Sequence, residues 1–221
     1  KMLEKSEHHF LMAIDFLDKN PEVEPSNLRA ATSNELSRIS YYRHDLKKAL
    51  EYTELGLSSF IHNDKGLANR YYLLSNQATY LEQLNEDERA LKTLEQLFEI
   101  LSKTDSTKVL AVIRIENILQ MYINFAIVLN KVKHFSKALE YADVGVSIAL
   151  NNGILDKLIS LWSTTGKIYE NIGEDDKAEQ YYLKALTVKE ESSEFALIEV
   201  LTNLGLLYIK KRKFLQSEEL I

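Results

Sequence analysis

Asparagine recurs at one position of a helical pattern in this chain. Asn76, Asn124 and Asn203 each lie two residues before a small residue, Ala or Gly. Asparagine is a poor helix former, because its side-chain amide competes with the backbone for hydrogen bonds. On an open helix face the amide offers both a donor and an acceptor, which the backbone of an extended peptide requires. The pattern therefore predicts a peptide-binding surface; the alternative is a set of solvated polar residues.

The same side of these helices carries further candidate binding residues. If the small residue is numbered 0, then positions −6, −3, −2, +1, +4 and +5 form one stripe at helical spacing. Besides the three asparagines, the stripe holds Asn34, Arg38, Tyr72, Gln120, Asn130, Thr164 and Lys167.

No other constellation of residues predicts chemistry. His8 and His9 point about 100° apart on a helix, so they do not converge on one metal ion. The basic run 210–213 is explained by its place at the end of a helix, where cations complement the macrodipole. A glycine-rich phosphate loop, a nucleophile elbow and a metal-protease motif are all missing from the sequence. We therefore expect no catalytic residue, no metal and no cofactor.

The small residues also define the helices that must position these side chains. A second small residue follows each first one after twelve positions, in the pairs Ser37/Ala49, Ala78/Ala90, Ala126/Ala138, Gly166/Ala178 and Gly205/Ser217. Such a repeat predicts helix pairs at 27–42 with 46–62, 65–84 with 86–103, 106–131 with 135–151, 154–172 with 174–191, and 194–211 with 214 onward. A further helix is predicted over 1–19. Asp105 is the predicted N-cap of the longest helix, and Gly153 the predicted C-cap of another.

Positions −4, −1, 0 and +3 of each first helix are predicted to pack against neighbouring helices. In the fourth repeat these positions hold Trp162, Thr165, Gly166 and Tyr169. The small residue at position 0 is expected to let two backbones approach closely. Packing and binding are thus assigned to opposite sides of the same helix.

The composition excludes several classes of protein. The 221 residues carry a net charge of −6, which disfavours direct binding to nucleic-acid phosphates. The chain has no cysteine, so it has no disulfide framework, and this agrees with a cytoplasmic location. No apolar run reaches the roughly 18 residues of a membrane span, and no signal peptide is evident. Because Lys1-Met2 is not a natural start, we interpret the chain as a piece of a longer protein.

The segment from Trp162 to Ala185 resembles the tetratricopeptide repeat (TPR), whose pattern is W-x2-L-G-x2-Y followed by A-x3-F. Thr165 stands at the Leu position of that pattern and Tyr182 at the Phe position. The resemblance implies an all-α fold, a right-handed TPR superhelix of about five helix pairs plus an N-terminal helix. It implies an N-terminal helix at 1–20, acting as a linker or half-repeat, and a solenoid at 21–221 whose last repeat is incomplete.

The chain also resembles the cytoplasmic quorum-sensing receptors of Gram-positive bacteria, the Rap, NprR, PlcR, PrgX and Rgg class. The shared traits are long repeats, scarce proline, groove asparagines, and the phrases at 48–52 and 137–142. The resemblance implies a regulatory domain that binds a short signalling peptide through Asn76, Asn124 and Asn203. Arg38 and Lys167, both at +1, would then pair with a peptide carboxylate.

The same resemblance implies a homodimer that contacts DNA only through a domain absent from this chain, and no membrane contact. Two alternatives stay open. One is a TPR scaffold for protein partners that senses no small signal, and the other is a Rap-like module that acts on a response regulator.

Overall fold

A computed structural model describes residues 2–20, 28–58, 66–188 and 194–211, and the regular structure of these residues is entirely α-helical. The helices are α1 (Met2–Lys19), α2 (Leu28–Tyr42), α3 (Leu46–Ser58), α4 (Leu67–Gln83), α5 (Asp87–Ser102), α6 (Ser106–Val112), α7 (Ile115–Lys131), α8 (Phe135–Asn152), α9 (Leu155–Ile172), α10 (Asp175–Leu186) and α11 (Glu194–Lys210). The all-α prediction is confirmed.

The chain divides into two compact units, residues 1–114 and 115–221. In the first unit, α2 pairs with α3 and α4 with α5, while α1 packs on α2 and α2 lies beside α4. In the second unit, α7 pairs with α8 and α9 with α10, and α9 lies between α7 and α11. The predicted boundary at residue 20 and the single solenoid over 21–221 stay predictions. The second helix of the fifth pair, predicted from 214 onward, lies outside the described residues.

Four hairpin turns use the same backbone conformation at the same register. The residue seven positions after the first small residue has a positive φ: His44 (61°), Asn85 (59°), Lys133 (63°) and Gly173 (91°). The next backbone N–H then bonds to a carbonyl five residues earlier, as Glu174 N does to Tyr169 O over 2.9 Å. This is the Schellman arrangement that satisfies the last carbonyls of a helix. The turn therefore repeats even where the residue type does not favour it.

The prediction of one long helix over 106–131 is wrong, because the structure has two helices there, α6 and α7. The predicted cap is correct, since the Asp105 side chain accepts hydrogen bonds from the N–H groups of Thr107 and Lys108. Ile113, however, adopts an extended backbone (φ −123°, ψ 121°) and buries its side chain. A β-branched residue tolerates this conformation easily, so burial of Ile113 ends the helix where periodicity alone does not.

Of the four residues predicted to pack in the fourth repeat, Trp162, Thr165 and Gly166 are buried and Tyr169 is half-buried. We expected Gly166 to let two backbones approach closely, but the residue that it faces is Tyr182. A Cβ on this glycine would lie 2.6 Å from Cε1 of the Tyr182 ring. The Tyr182 hydroxyl donates to Glu170 Oε2 over 3.1 Å. Burial raises the pKa of Tyr182, and the neighbouring Glu170 charge raises it further. Tyr182 is thus a neutral donor that closes the hairpin.

Candidate binding surface on the first helices

Within each unit, consecutive first helices are joined by side-chain hydrogen bonds. Asn76 Nδ2 on α4 donates to Asn34 Oδ1 on α2 over 2.9 Å. Asn203 Nδ2 on α11 donates to Ser163 Oγ on α9 over 3.5 Å, which is at the limit for such a bond. In both cases position −2 of one first helix donates to position −3 of the preceding one.

A second set of bonds joins the same kind of neighbours near the other end of the helices. Gln83 Nε2 donates to Tyr41 Oη over 3.2 Å, and Asn171 Nδ2 donates to Asn130 Oδ1 over 3.0 Å. Here position +5 donates to position +4 of the preceding first helix. We call these four bonds the amide ladder. The ladder holds adjacent first helices at a set spacing through groups that a peptide backbone would also bind.

Less of the predicted stripe is accessible to a ligand than the sequence indicates, because neighbouring first helices bury part of it. Asn34, Ile123 and Ser163, all at −3, are at least nine-tenths buried. They are buried because the following first helix packs against that side of α2, α7 and α9. Asn130 is equally buried, with 8% of its surface exposed. Apart from Asn130 and Thr164, positions −6, −2, +1, +4 and +5 form the more open part of the stripe.

Thr164 is an exception among the −2 positions. It is 8% exposed, and its hydroxyl donates to the Ser160 carbonyl over 2.8 Å within α9. Asn76, Asn124 and Asn203 at the equivalent position are half-buried. The asparagine positions therefore offer more accessible surface to a ligand than the threonine position does.

Asn124 belongs to a chain of three polar side chains between α7 and α9. Gln120 Nε2 donates to Asn124 Oδ1 over 3.0 Å, and Lys157 Nζ donates to Gln120 Oε1 over 2.8 Å. All three residues are half-buried. The structure thus brings two predicted residues together with a lysine that the sequence did not single out.

The two predicted cations already have carboxylate partners on their own helices. Arg38 Nη1 lies 3.0 and 3.1 Å from the two Glu35 carboxylate oxygens. Lys167 Nζ lies 3.0 Å from Glu170 Oε1. A hydrogen bond with Tyr42 and the charge of Glu35 raise the pKa of Arg38. Both cations are largely neutralised locally, which weakens their pull on a peptide carboxylate.

Apolar contact area is also present on this side of the molecule. Tyr72 on α4 is half-buried and meets the ring of Tyr71 edge-on, with centroids 5.4 Å apart. On α11, Leu206 at +1 is 55% exposed and Ile209 at +4 is 49% exposed. In the second unit the surface therefore runs from polar side chains on α7 and α9 to aliphatic side chains on α11.

The sequence reasoning missed three polar residues that face this surface: Lys157, Gln83 and Asn171. Gln83 and Asn171 both stand at +5, so a search for amides recurring at +5 would have found them. Lys157 lies two helical turns before Thr164 and so on nearly the same side of α9. Lys157 stands at position −9, which lies outside the predicted stripe because that stripe begins at −6.

The described residues contain no group of three His, Asp or Glu side chains placed to hold a metal ion. No single helix among them is long and apolar enough to span a membrane; α6 and α7 together reach that length and composition but are bent by 104° at the break between them. Two surface depressions lie along the outer side of α8 and at the turn 133–137, away from the first-helix stripe.

Comparison with known proteins agrees with this architecture. Residues 159–192 match the family model of the tetratricopeptide repeat. The fold is that of TPR proteins. The matched segment contains Trp162 and also Gly166 and Tyr182, the small and large residues that fit together in the fourth repeat. A comparison with curated protein sequences finds no match.

Solved structures with the same fold include three informative examples, each 15% identical to this chain. The apo form of RapI has a TM-score of 0.73, and the match covers 100% of this chain and 89% of that one. BtubC (BKLC) from P. vanneervenii has a TM-score of 0.72, with the same coverage. A Rap protein complexed with Competence and Sporulation Factor has a TM-score of 0.69; the match covers 93% of this chain and 55% of that one. The fold of this chain therefore resembles that of Rap proteins.

Proposed function

We propose that the first-helix surface within each unit binds a short extended peptide, and that this chain is the peptide-sensing part of a cytoplasmic quorum-sensing receptor. The observation that carries the proposal is the recurrence of half-buried amides at −2: Asn76, Asn124 and Asn203. A side-chain amide has two N–H donors and two acceptor lone pairs. The ladder uses one donor of Asn76 and one of Asn203, which leaves hydrogen-bonding capacity for a ligand.

The structural neighbours support this reading. One Rap protein with this fold is complexed with Competence and Sporulation Factor. Repeat proteins of this kind use extended binding surfaces built from consecutive repeats. The role we propose is a non-catalytic one, in which a homodimeric receptor passes the signal to a DNA-binding or effector domain outside the chain.

The amide ladder suggests how binding would be transmitted. A peptide that competes for the Asn76 or Asn203 amide weakens a bond that sets the spacing of neighbouring first helices. Because a ligand shifts an equilibrium only through differential affinity for its states, the ladder supplies the differing contacts. Occupied and empty surfaces would then favour different spacings of the first helices within a unit.

The test is calorimetry with peptides recovered by the immobilised chain from a random heptapeptide pool. We expect Asn76→Ala in the first unit and Asn124→Ala in the second each to weaken peptide binding to its own unit by about tenfold, the worth of one lost hydrogen bond in a desolvated site. Asn151→Ala, on the exposed end of α8, is the matched control and should bind as the wild type does. Circular dichroism checks that each variant is folded. Unchanged affinity in both groove variants would contradict the proposed surface.

A protein scaffold is the second candidate, and the aliphatic side of α11 favours it. Ile198, Leu206 and Ile209 are each about half exposed or more, and they lie on one side of the helix. Apolar side chains at this spacing suit the docking of a partner helix. If folded partner proteins bind, if Leu206→Ser abolishes that binding, and if no short peptide binds, the scaffold function replaces the peptide sensor.

A further inference from the structure

The turn between α8 and α9 contains the sequence Asn151-Asn152-Gly153, and all three residues are exposed. Asn152 is the last residue of α8, and Gly153 adopts the left-handed conformation with a φ of 66°. No other asparagine of the chain precedes a glycine. In an Asn-Gly pair the glycine nitrogen can close a ring onto Cγ of the asparagine, because glycine has no side chain to hinder the approach. The turn therefore carries a reactive pair.

The structure leaves the Gly153 nitrogen accessible to this reaction. Apart from the chain next to it, nothing in the described residues lies within 4 Å of the position that a Cβ on Gly153 would take. The Gly153 N–H donates to the Leu150 carbonyl over 3.3 Å, which is longer than the usual range of about 2.7–3.2 Å. Helix ends also fray at little cost in free energy. Opening of the last turn of α8 therefore frees the side chain of Asn152 and the backbone nitrogen together.

We infer that Asn152 is a site of spontaneous deamidation. A base removes the proton of the Gly153 N–H, and the nitrogen attacks Asn152 Cγ, so that a new N–C bond closes a cyclic imide. The Cγ–Nδ2 bond breaks, and the amide nitrogen takes up a proton and leaves as ammonia. Water then opens the imide. Cleavage of the N–Cγ bond gives aspartate, and cleavage at the main-chain carbonyl gives isoaspartate, with no atom oxidised or reduced.

The turn between α9 and α10 has the same backbone but lacks the reactive side chain. Gly173 also has a positive φ, of 91°, and equally open surroundings among the described residues. The residue before it is Ile172, which is 41% exposed. The two turns therefore differ in the one feature that the reaction needs.

Deamidation removes a contact that ends α8. Asn152 Nδ2 donates to the Ile148 carbonyl over 2.8 Å. A carboxylate at this position has no N–H to donate, and its charge adds to the negative end of the helix dipole. Isoaspartate also inserts a main-chain atom between Ala149 O and Ile154 N, which are bonded over 3.0 Å. Because Ala149 and Ile154 belong to the packed core of the second unit, both products weaken the junction of α8 with α9.

Incubation of the folded chain in heavy-oxygen water tests the inference. Hydrolysis of the imide places a heavy oxygen in the product, so mass spectrometry of proteolytic peptides recognises new deamidation. We expect Asn152 to deamidate at least about tenfold faster than Asn151, whose following residue has a side chain that hinders ring closure. The rate at Asn152 should rise with pH, since the attacking nitrogen must lose its proton. Equal rates at the two asparagines would overturn the inference.

Two variants locate the cause. Gly153→Ala should slow the reaction about tenfold, because its methyl group crowds the attacking nitrogen. Alanine is strained at a positive φ, so circular dichroism checks that this variant is folded. Ile172→Asn builds an Asn-Gly pair in the equivalent turn, and we expect deamidation there as well. An unchanged rate in Gly153→Ala, or reaction at position 172 with Asn152 inert, would overturn the inference.

The effect on the helix is tested separately with Asn152→Asp, which mimics the aspartate product. Its melting temperature should fall below that of the wild type, because the bond to the Ile148 carbonyl is lost. Asn151→Asp is the matched control, since it adds the same charge one residue earlier on an exposed position. An equal or larger fall in Asn151→Asp would overturn the role assigned to the Ile148 contact.

Discussion

The first and fourth repeats share one register, but the side chains at equivalent positions differ in size. In the fourth repeat, Gly166 leaves a space that the ring of Tyr182 occupies. In the first repeat, the equivalent positions hold Ser37 and Thr53, both fully buried. Position −4, which holds Trp162 in the fourth repeat, holds Ser33 in the first. The repeat therefore constrains which positions are buried and leaves the volumes of the side chains at those positions free.

The largest effect is expected from removing the aromatic ring that fills the fourth repeat. Tyr182→Ala should lower the free energy of unfolding by about 3–5 kcal/mol, because a large buried ring is lost and a cavity remains. Thr53→Ala at the equivalent position of the first repeat should cost about 1 kcal/mol, since it removes little more than a hydroxyl bonded to the Leu50 carbonyl. Urea unfolding followed by circular dichroism measures both. Similar costs at the two sites would show that the two interfaces are not filled as described.

The next test adds volume instead. Gly166→Ala places a methyl group against the Tyr182 ring and should cost about 1–3 kcal/mol, the usual penalty of overpacking. Ser37→Ala, at the same register of the first repeat, removes only a hydroxyl that bonds to the Asn34 carbonyl and should cost less than about 1 kcal/mol.

A double mutant separates a steric clash from a backbone effect at position 166. In Gly166→Ala/Tyr182→Leu, the smaller side chain relieves the contact, so the two costs should be less than additive. Full additivity would mean that the ring does not press on residue 166.

The smallest effects are expected from substitutions at the turn residues of the two repeats. His44 and Gly173 both have a positive φ, which costs a residue with a Cβ about 1–2 kcal/mol. His44→Gly should therefore stabilise the protein by about 0.5–1 kcal/mol, after the entropy that glycine adds to the unfolded chain is subtracted. Gly173→Ala should destabilise it by about 1 kcal/mol. Thermal unfolding measures the pair, and changes of the same sign would contradict a shared turn conformation.

Much of the fold was predictable because it depends on spacing within one chain segment. The paired small residues set the helix register, and the cap at Asp105 and the turn at Gly153 follow from local chemistry. The break at Ile113 was not predictable, because periodicity continues through it and only burial of the side chain decides it. The left-handed turns at His44 and Lys133 were not predictable either, because neither residue is a glycine, which is the usual sequence signal of a positive φ.

The candidate surface was predictable in outline but not in its contacts. Asn76, Asn124 and Asn203 could be placed on one side of their helices from the sequence. The sequence could not show that Asn76 donates to Asn34, or that Lys157 reaches Gln120 across 37 positions. Such pairs depend on the angle and spacing of separate helices, which small changes in packing alter.

The sequence by itself determined the helical repeat, its register and the side of each first helix that is polar. These follow from residue periodicity and the backbone geometry of a single helix. Only the tertiary structure decided which polar groups bond to each other and which have capacity left for a ligand. The physical reason is that a hydrogen bond between helices needs two atoms within about 3 Å, and that distance is set by side-chain packing.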